Sequence, residues 1–258
     1  MTYVWNFLSF YSELEVDLTL FCEEDFKNFL DPIIKNHPNF RSKVNFEIID
    51  RNNLSYFSKL DEIRKIQQSE KLKITISGHT SKVPEYTRPE YVATMFSKPE
   101  ILKLAKNRNL IEDNDKQVAW IDFGIAHRAP DFIGAIRGKR LVERDTVDKV
   151  ILFNRKEIFP PDNVETFFAL DDNVFVPGGF FVVPSVLIEK FYEEFNSIVN
   201  YQLFEKSLID DDQTVLSLIA NDKSLCHVIN STQWLNNPPE GDWFPVFDFL
   251  SHSENKNE

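Results

Sequence analysis

An α/β protein, a mixed sheet flanked by helices in a single domain, is the fold class the sequence predicts, on three observations. Residues 3–68 alternate between helical and strand-like periodicity, the pattern of a mostly parallel sheet. Gln117 to Ile121 form an apolar strand-like run that stops on one carboxylate, Asp122, with Gly124 two residues further on. Later strand-like runs near 147–153, 166–170 and 180–183 follow one another without helices between them, which predicts a partly antiparallel second half.

Taken in order, Val4, Phe7, Leu8, Tyr11 and Leu14 recur at helical spacing over residues 3–15, and 16–22 alternates and then turns apolar like a strand. A helix over 25–36 should end before His37 and Pro38, because the residue ahead of a proline is pushed out of the helical region. Residues 44–49 read as a strand, and 54–68 as a helix with Phe57, Leu60, Ile63 and Ile66 on one face. The polar stretch 80–88 reads as a turn. Pro89 suits the first turn of a helix running towards Leu104, which Pro99 should break or kink. Val118 to Ile121 suit a buried parallel strand. Residues 187–204 form an amphipathic helix through Leu187, Phe191, Phe195, Ile198 and Tyr201, and 210–220 form another. The domain spans residues 1–250, and the polar tail 251–258 is expected to be disordered.

The composition is that of an ordinary globule, 42% hydrophobic and 27% charged over 258 residues. A net charge of −12 argues against non-specific nucleic-acid binding, so any anionic ligand must be held locally. Cys22 and Cys226 lie in apolar surroundings and fit neither a disulfide framework nor a four-ligand zinc site, pointing to a reducing cytoplasm. The N-terminus lacks a basic leader, and no run approaches the ~18 apolar residues of a membrane span. The 24 Phe are scattered through strands and helices, which marks them as core rather than as a stacking platform.

Four constellations could carry chemistry. An acid at a strand's carboxyl end sits where open α/β sheets bind ligands, so Asp122 is a ligand candidate; it could equally cap the next segment or make a turn. Asp210, Asp211 and Asp212 open a helix, and Asp210 with Gln213 fits a capping box, with the other two acids favouring the positive helix end. Capping needs one acid of the three, and adjacent carboxylates can supply a general base or accept from a sugar hydroxyl. Gly178 and Gly179, ahead of an apolar strand, could admit a substrate close to the backbone or make a turn. The cations Arg137, Lys139, Arg140 and Arg144 could hold phosphates, or lie on a solvated loop. His127 and His227 match no metal-ligand spacing.

The run Trp120 to Gly124, the Gly178 to Phe181 segment and the Asp210 to Gln213 helix start together resemble the bacterial WlaTC/HtrL glycosyltransferase family of lipopolysaccharide and lipooligosaccharide assembly. Thr2 to Phe7, Pro84 to Tyr86 and Lys98 extend the likeness over almost the whole chain. The resemblance implies a GT-A-like (Rossmann-like) transferase in which Asp122 takes the place of the donor-site Asp-x-Asp motif, with Gly124 where the second acid would stand. It implies a nucleotide-sugar donor, a glycan or glycolipid acceptor, and Mn²⁺ or Mg²⁺ held by Asp122 and phosphate oxygens. Lys98 and Arg88 would help to neutralise the diphosphate, Asp211 or Asp212 would serve as base or acceptor contact, and Gly178, Gly179 and Gln213 would face the acceptor. A cytoplasmic protein, peripheral at the inner membrane, is the setting this implies.

Two other function classes fit the same residues. One is a catalytically silent GT-A-like protein that binds a sugar nucleotide or a partner; the weaker one is a metal-dependent phosphohydrolase using Asp122 and the acids at 210–212. Members of the resembled family begin with a further strand and loop that hold part of the nucleotide base, ahead of the helix that starts here at Thr2. A longer version of this chain is therefore expected to be more stable or more active.

Overall fold

The computed structural model describes residues 2–14, 16–37, 40, 43–76, 84–111, 117–123, 139–141, 148–154, 162–168, 175–230 and 250–252. In chain order these form α1 (Thr2–Glu13), β1 (Asp17–Cys22), α2 (Glu24–Lys35), β2 (Lys43–Ile48), two short 3-10 turns over 51–59, α3 (Leu60–Gln67) and α4 (Glu70–Thr75). There follow α5 (Pro84–Thr87), α6 (Pro89–Phe96), α7 (Lys98–Asn107), β3 (Gln117–Ile121), β4 (Lys139–Leu141), β5 (Val150–Asn154), α8 (Val164–Phe168) and β6 (Phe180–Pro184). The last are α9 (Ile188–Ile198), which runs on into a π-helical turn over 199–204, then α10 (Asp212–Ile219), β7 (Cys226–Asn230) and β8 (Leu250–His252). The protein is thus a mixed α/β chain.

The chain separates into two compact units, one of residues 1–51, 121–144 and 243–258, the other of 52–120 and 145–242. In the first, β1 and β2 pair in parallel from Asp17 against Lys43 to Cys22 against Ile48, with α2 as the crossover that parallel strands require. Phe7, Phe10, Tyr11, Leu14 and Leu30 are buried there. The Phe7 ring stacks on Phe123 at 4.5 Å, and Phe26 meets the same ring edge-on at 5.5 Å. β4 and β8 form a short antiparallel pair, so part of the cationic loop is strand and Ser251 and His252, expected in the tail, are strand residues.

The second unit holds a four-stranded sheet in the order β3, β6, β5, β7. β5 is antiparallel to β6 and parallel to β7, the mixed character the sequence predicts. β5 and β6 are wholly buried, under a core that includes Phe96, Phe167, Phe181, Phe191 and Phe195. β3 is one of the two edge strands of this sheet among the described residues, β7 being the other; it is only half-buried along its length, and Trp120 stacks on Phe181 at 6.2 Å. Every residue of β3 is half-buried, so it is not the fully buried strand its composition suggests.

Several elements differ from the sequence reading for identifiable reasons. Residues 164–168 are helical, not a strand: the Asn163 carboxamide accepts the Thr166 amide at 2.9 Å and caps a turn that the short apolar run left ambiguous. Residues 84–87 are a helical turn rather than an irregular stretch, and the helix read over 54–68 begins only at Leu60, after 3-10 turns. The break expected at Pro99 falls at Ser97, because Pro99 lies within the first turn of α7, where its missing N–H costs nothing. β7 and α4 were not legible. Gly124, His127, Arg137 and Arg144 lie outside the described residues, as does the tail beyond His252.

Candidate functional site

The acidic helix start folds differently from the simplest capping box. Asp211, not Asp210, is the N-cap of α10: its Oδ1 accepts the Gln213 amide at 2.9 Å and its Oδ2 accepts the Gln213 side-chain amide at 2.8 Å. Asp210 lies one residue further out and accepts from the Thr214 hydroxyl at 2.5 Å and from the Tyr86 phenol. The register slips by one because Thr214 can reach back a full turn to satisfy Asp210, which leaves Asp211 free to cap. All three acids are buried, with Asp212 only 2% exposed.

Lys98, the first residue of α7, brings distant parts of the chain to this point. As a residue it is also 2% exposed. It donates to Asp212 Oδ2 at 2.7 Å and to the Gly178 carbonyl at 3.0 Å. The Gly178 backbone presses against that carboxylate so closely that a Cβ there would lie 2.1 Å from Asp212 Oδ2. The close approach a glycine permits is thus used at Gly178 by Asp212. The segment is tied a second time: the Val176 amide donates to the Ser217 hydroxyl at 3.2 Å, and that hydroxyl donates to the Gln213 carbonyl at 2.6 Å.

The sheet sets where this cluster lies. The register that places Ile151 opposite Val182 brings residues 153 and 180 level, with their rings 5.6 Å apart. Gly178 and Gly179, just ahead of β6, therefore lie beside Asn154, the carboxyl end of β5, and β7 ends on the same side because it is parallel to β5. Lys98, Gly178 and Asp212 meet at the carboxyl ends of the parallel strands, the side on which open α/β sheets take ligands.

The electrostatics are those of crowded, buried acids. Burial, and then the Asp211 charge, hold Asp210 well above the carboxylate range. Burial pushes Asp211 up to about 6, opposed by its bonds from Gln213 and by the Lys98 charge, and reinforced by Glu85. Glu85, half-buried on α5, is raised by desolvation as well, and its own carbonyl accepts from the Gln67 amide at 2.9 Å. Tyr86 beside it is pushed up by burial and by Asp210. Glu85 and Tyr86 were quoted in the sequence only for resemblance; nothing local signalled that α5 would pack on the acids of α10. One atom of the cluster, Gln213 Oε1, is buried with no hydrogen-bond partner among the described residues.

The other site residues fall elsewhere. Arg88 is exposed at the N-cap of α6. Gly179 is half-buried. Asp122 belongs to the first unit, one residue past the end of β3 and half-buried, and its charge bears on the buried Tyr11 phenol, whose pKa is raised chiefly by desolvation. Lys139 and Arg140 lie in β4. Cys22 and Cys226 are free thiols, burial pushing the latter up to about 12. His227 is exposed on β7. Among the described residues, no group of three or more His, Cys, Asp or Glu is arranged to hold a metal ion, and no helix is long and apolar enough to cross a membrane.

Comparison with known proteins places the chain. Residues 1–251 match the family profile HtrL_YibB, described as a bacterial protein of unknown function. No curated protein matches.

Proposed function

The chain belongs to the HtrL_YibB family, and from that premise we propose that it is a glycosyltransferase moving a hexose or N-acetylhexosamine from a nucleotide-sugar donor to a lipopolysaccharide, lipooligosaccharide or other surface glycan. The observation that carries this is the meeting of Lys98, Gly178 and Asp212, remote in sequence, at the carboxyl ends of β5 and β7. A GT-A-like (Rossmann-like) domain takes its substrates on that side of its sheet. In this reading Asp211 is the general base towards the acceptor hydroxyl, since a carboxylate near pH 6 is matched to proton transfer at neutral pH. Gln213 Oε1, a buried acceptor without a partner among the described residues, suits a donor from the acceptor sugar.

The departing diphosphate needs positive charge, which this reading assigns to Arg88 and to Mn²⁺ or Mg²⁺ carried in with the phosphates. One carboxylate suffices for such an ion when phosphate oxygens and waters complete its shell, and Asp122 is the residue that the family resemblance assigns to it. The ion supplies charge neutralisation to the leaving group; the chain's own part is to orient the donor and take the acceptor proton. Lipid-linked acceptors would place the protein at the cytoplasmic face of the inner membrane as a peripheral protein.

A second reading, a GT-A-like protein that binds a sugar nucleotide without turning it over, is favoured by one fact: Asp210, Asp211 and Asp212 all have protein partners and all are buried. Calorimetric titration with a panel of uridine, guanosine and cytidine diphosphate sugars, with and without Mn²⁺, on this chain and on Asp122→Ala, tests both. The proposal expects at least one donor to bind, to be slowly hydrolysed, and to bind about tenfold more weakly to the variant. Binding without hydrolysis would favour the silent protein, unchanged binding to the variant would remove Asp122, and no binding at all would overturn both readings.

A further inference from the structure

We propose that Lys98 is a positioning residue that locks the turn ahead of β6 to the first residue of α10, and that it acts on the reaction through the acids it holds without contacting the donor. The inference deepens the glycosyltransferase reading and rests on it for its catalytic part.

Three observations support it. Lys98 is at the first position of α7, where the helix dipole disfavours a cation, and it is buried, where an ammonium loses its hydration. A residue kept against both local preferences is held by its partners, among them Asp212 at 2.7 Å and the Gly178 carbonyl at 3.0 Å. The second observation is that the lock admits only glycine opposite the acid, since a Cβ on residue 178 would lie 2.1 Å from Asp212 Oδ2. The third is that the same segment is fastened to α10 again, through Val176, Ser217 and the Gln213 carbonyl. Residues 176–178 and the first turns of α10 thus form one body, with Lys98 as its ionic bolt. A lysine this deeply buried, its ammonium engaged by both sides of that body, does not reach a phosphate without dismantling it.

The consequence falls on Asp211, whose two oxygens are aimed by the same helix start and whose charge is eased by Lys98. Among the described residues, the charged and titratable groups around Asp211 include its neighbours Asp210 and Asp212, Glu85 and Tyr86 of α5, and Lys98 of α7. Of these Lys98 is the cation, so its removal raises the Asp211 pKa.

The test uses Lys98→Met, which keeps the length of the stem and removes the charge, Lys98→Arg, and Gly178→Ala, which strains the same junction with the lysine in place. With UDP-sugars and Mn²⁺ as probes, Lys98→Met should leave donor Kd within about threefold, lower kcat by about tenfold or more, and move the acid limb of the pH profile upward. Gly178→Ala should lower kcat without moving that limb. A tenfold or greater loss of donor affinity with kcat retained would make Lys98 a donor contact and overturn the proposal, as would unchanged kcat and pH profile.

If the parent chain neither binds nor hydrolyses any donor, the glycosyltransferase reading has failed, and amide hydrogen exchange decides the lock alone. Lys98→Met should then speed exchange at 176–180 and at 213–214 together while β5 and β7 stay protected. Exchange unchanged at both, or lost throughout the unit, would overturn it. Where Lys98→Met does not fold, Lys98→Gln, which also removes the charge, carries the same comparison, and Lys98→Arg, which keeps it, should leave the acid limb in place.

Discussion

Asp211 is asked to do two things that pull in opposite directions. As the N-cap of α10 it is favoured in either protonation state that leaves an oxygen to accept the Gln213 amide, but as a buried acid near Glu85 and Asp210 it is disfavoured when charged. Its folded pKa of about 6 lies above the ordinary 3.8, so folding favours the protonated form. The stability this contributes is fully present below about pH 4 and is lost as pH rises through about 6. Asp210 and Glu85, shifted in the same direction, reinforce it. Melting temperature should therefore fall between pH 4.5 and 7.5 (working values on the order of one to two units either side of 6) for reasons local to this cluster. Asp211→Asn keeps a good N-cap and removes the charge, so at pH 7.5 it should gain on the order of 1–2 kcal/mol, flatten that slope, and abolish turnover. A variant less stable than the parent at neutral pH, in chemical denaturation, would show that the ionised carboxylate is favoured in the fold.

At the scale of elements, α8 shows what decides between helix and strand when an apolar run is short. Val164 to Phe168 contain β-branched and aromatic residues that serve either state, and the choice is made by Asn163, whose side chain accepts the Thr166 amide. Asn163→Ala should cost about 1 kcal/mol in urea denaturation, whereas Asn163→Asp should cost little. An alanine variant as stable as the parent would mean that the burial of Phe167 and Phe168 holds this turn without its cap. The same comparison explains what was legible elsewhere. The β1, α2, β2 unit could be read because strand and helix periodicities alternate over lengths that exclude each other. So could the breadth of the acidic helix start. The slip from Asp210 to Asp211 as cap could not, since it depends on Thr214 reaching back, and the same residues permit both registers. Nor could the burial of Lys98, whose partner Asp212 lies 114 residues away and gives no local signal. Long-range charge pairing is invisible to periodicity, so nothing local to Lys98 shows that Asp212 holds it, and the resemblance alone puts it on the diphosphate.

For the whole molecule the governing quantity is charge. The chain carries 29 basic and 41 acidic residues, a formal net charge of −12, while the proposed donor is itself an anion. Lys98 is buried and paired with Asp212, so it adds little field outside the protein. Two opposing effects then act on donor binding. The overall field repels the diphosphate over a Debye length, roughly 10 Å at 0.1 M salt, whereas Arg88 and an accompanying divalent ion attract it at contact. Added monovalent salt screens both, but in the absence of a divalent ion the long-range repulsion dominates because the negative charges outnumber the local cations. Nucleotide-sugar affinity measured without divalent metal should thus rise, by about twofold or more, as NaCl goes from roughly 20 to 200 mM. With Mn²⁺ present the ion neutralises the diphosphate, and the salt dependence should shrink or reverse. Affinity that falls steeply with salt in the metal-free titration would instead reveal a cationic cradle strong enough to outweigh the net charge, and would direct attention to Arg88 and the basic residues around β4.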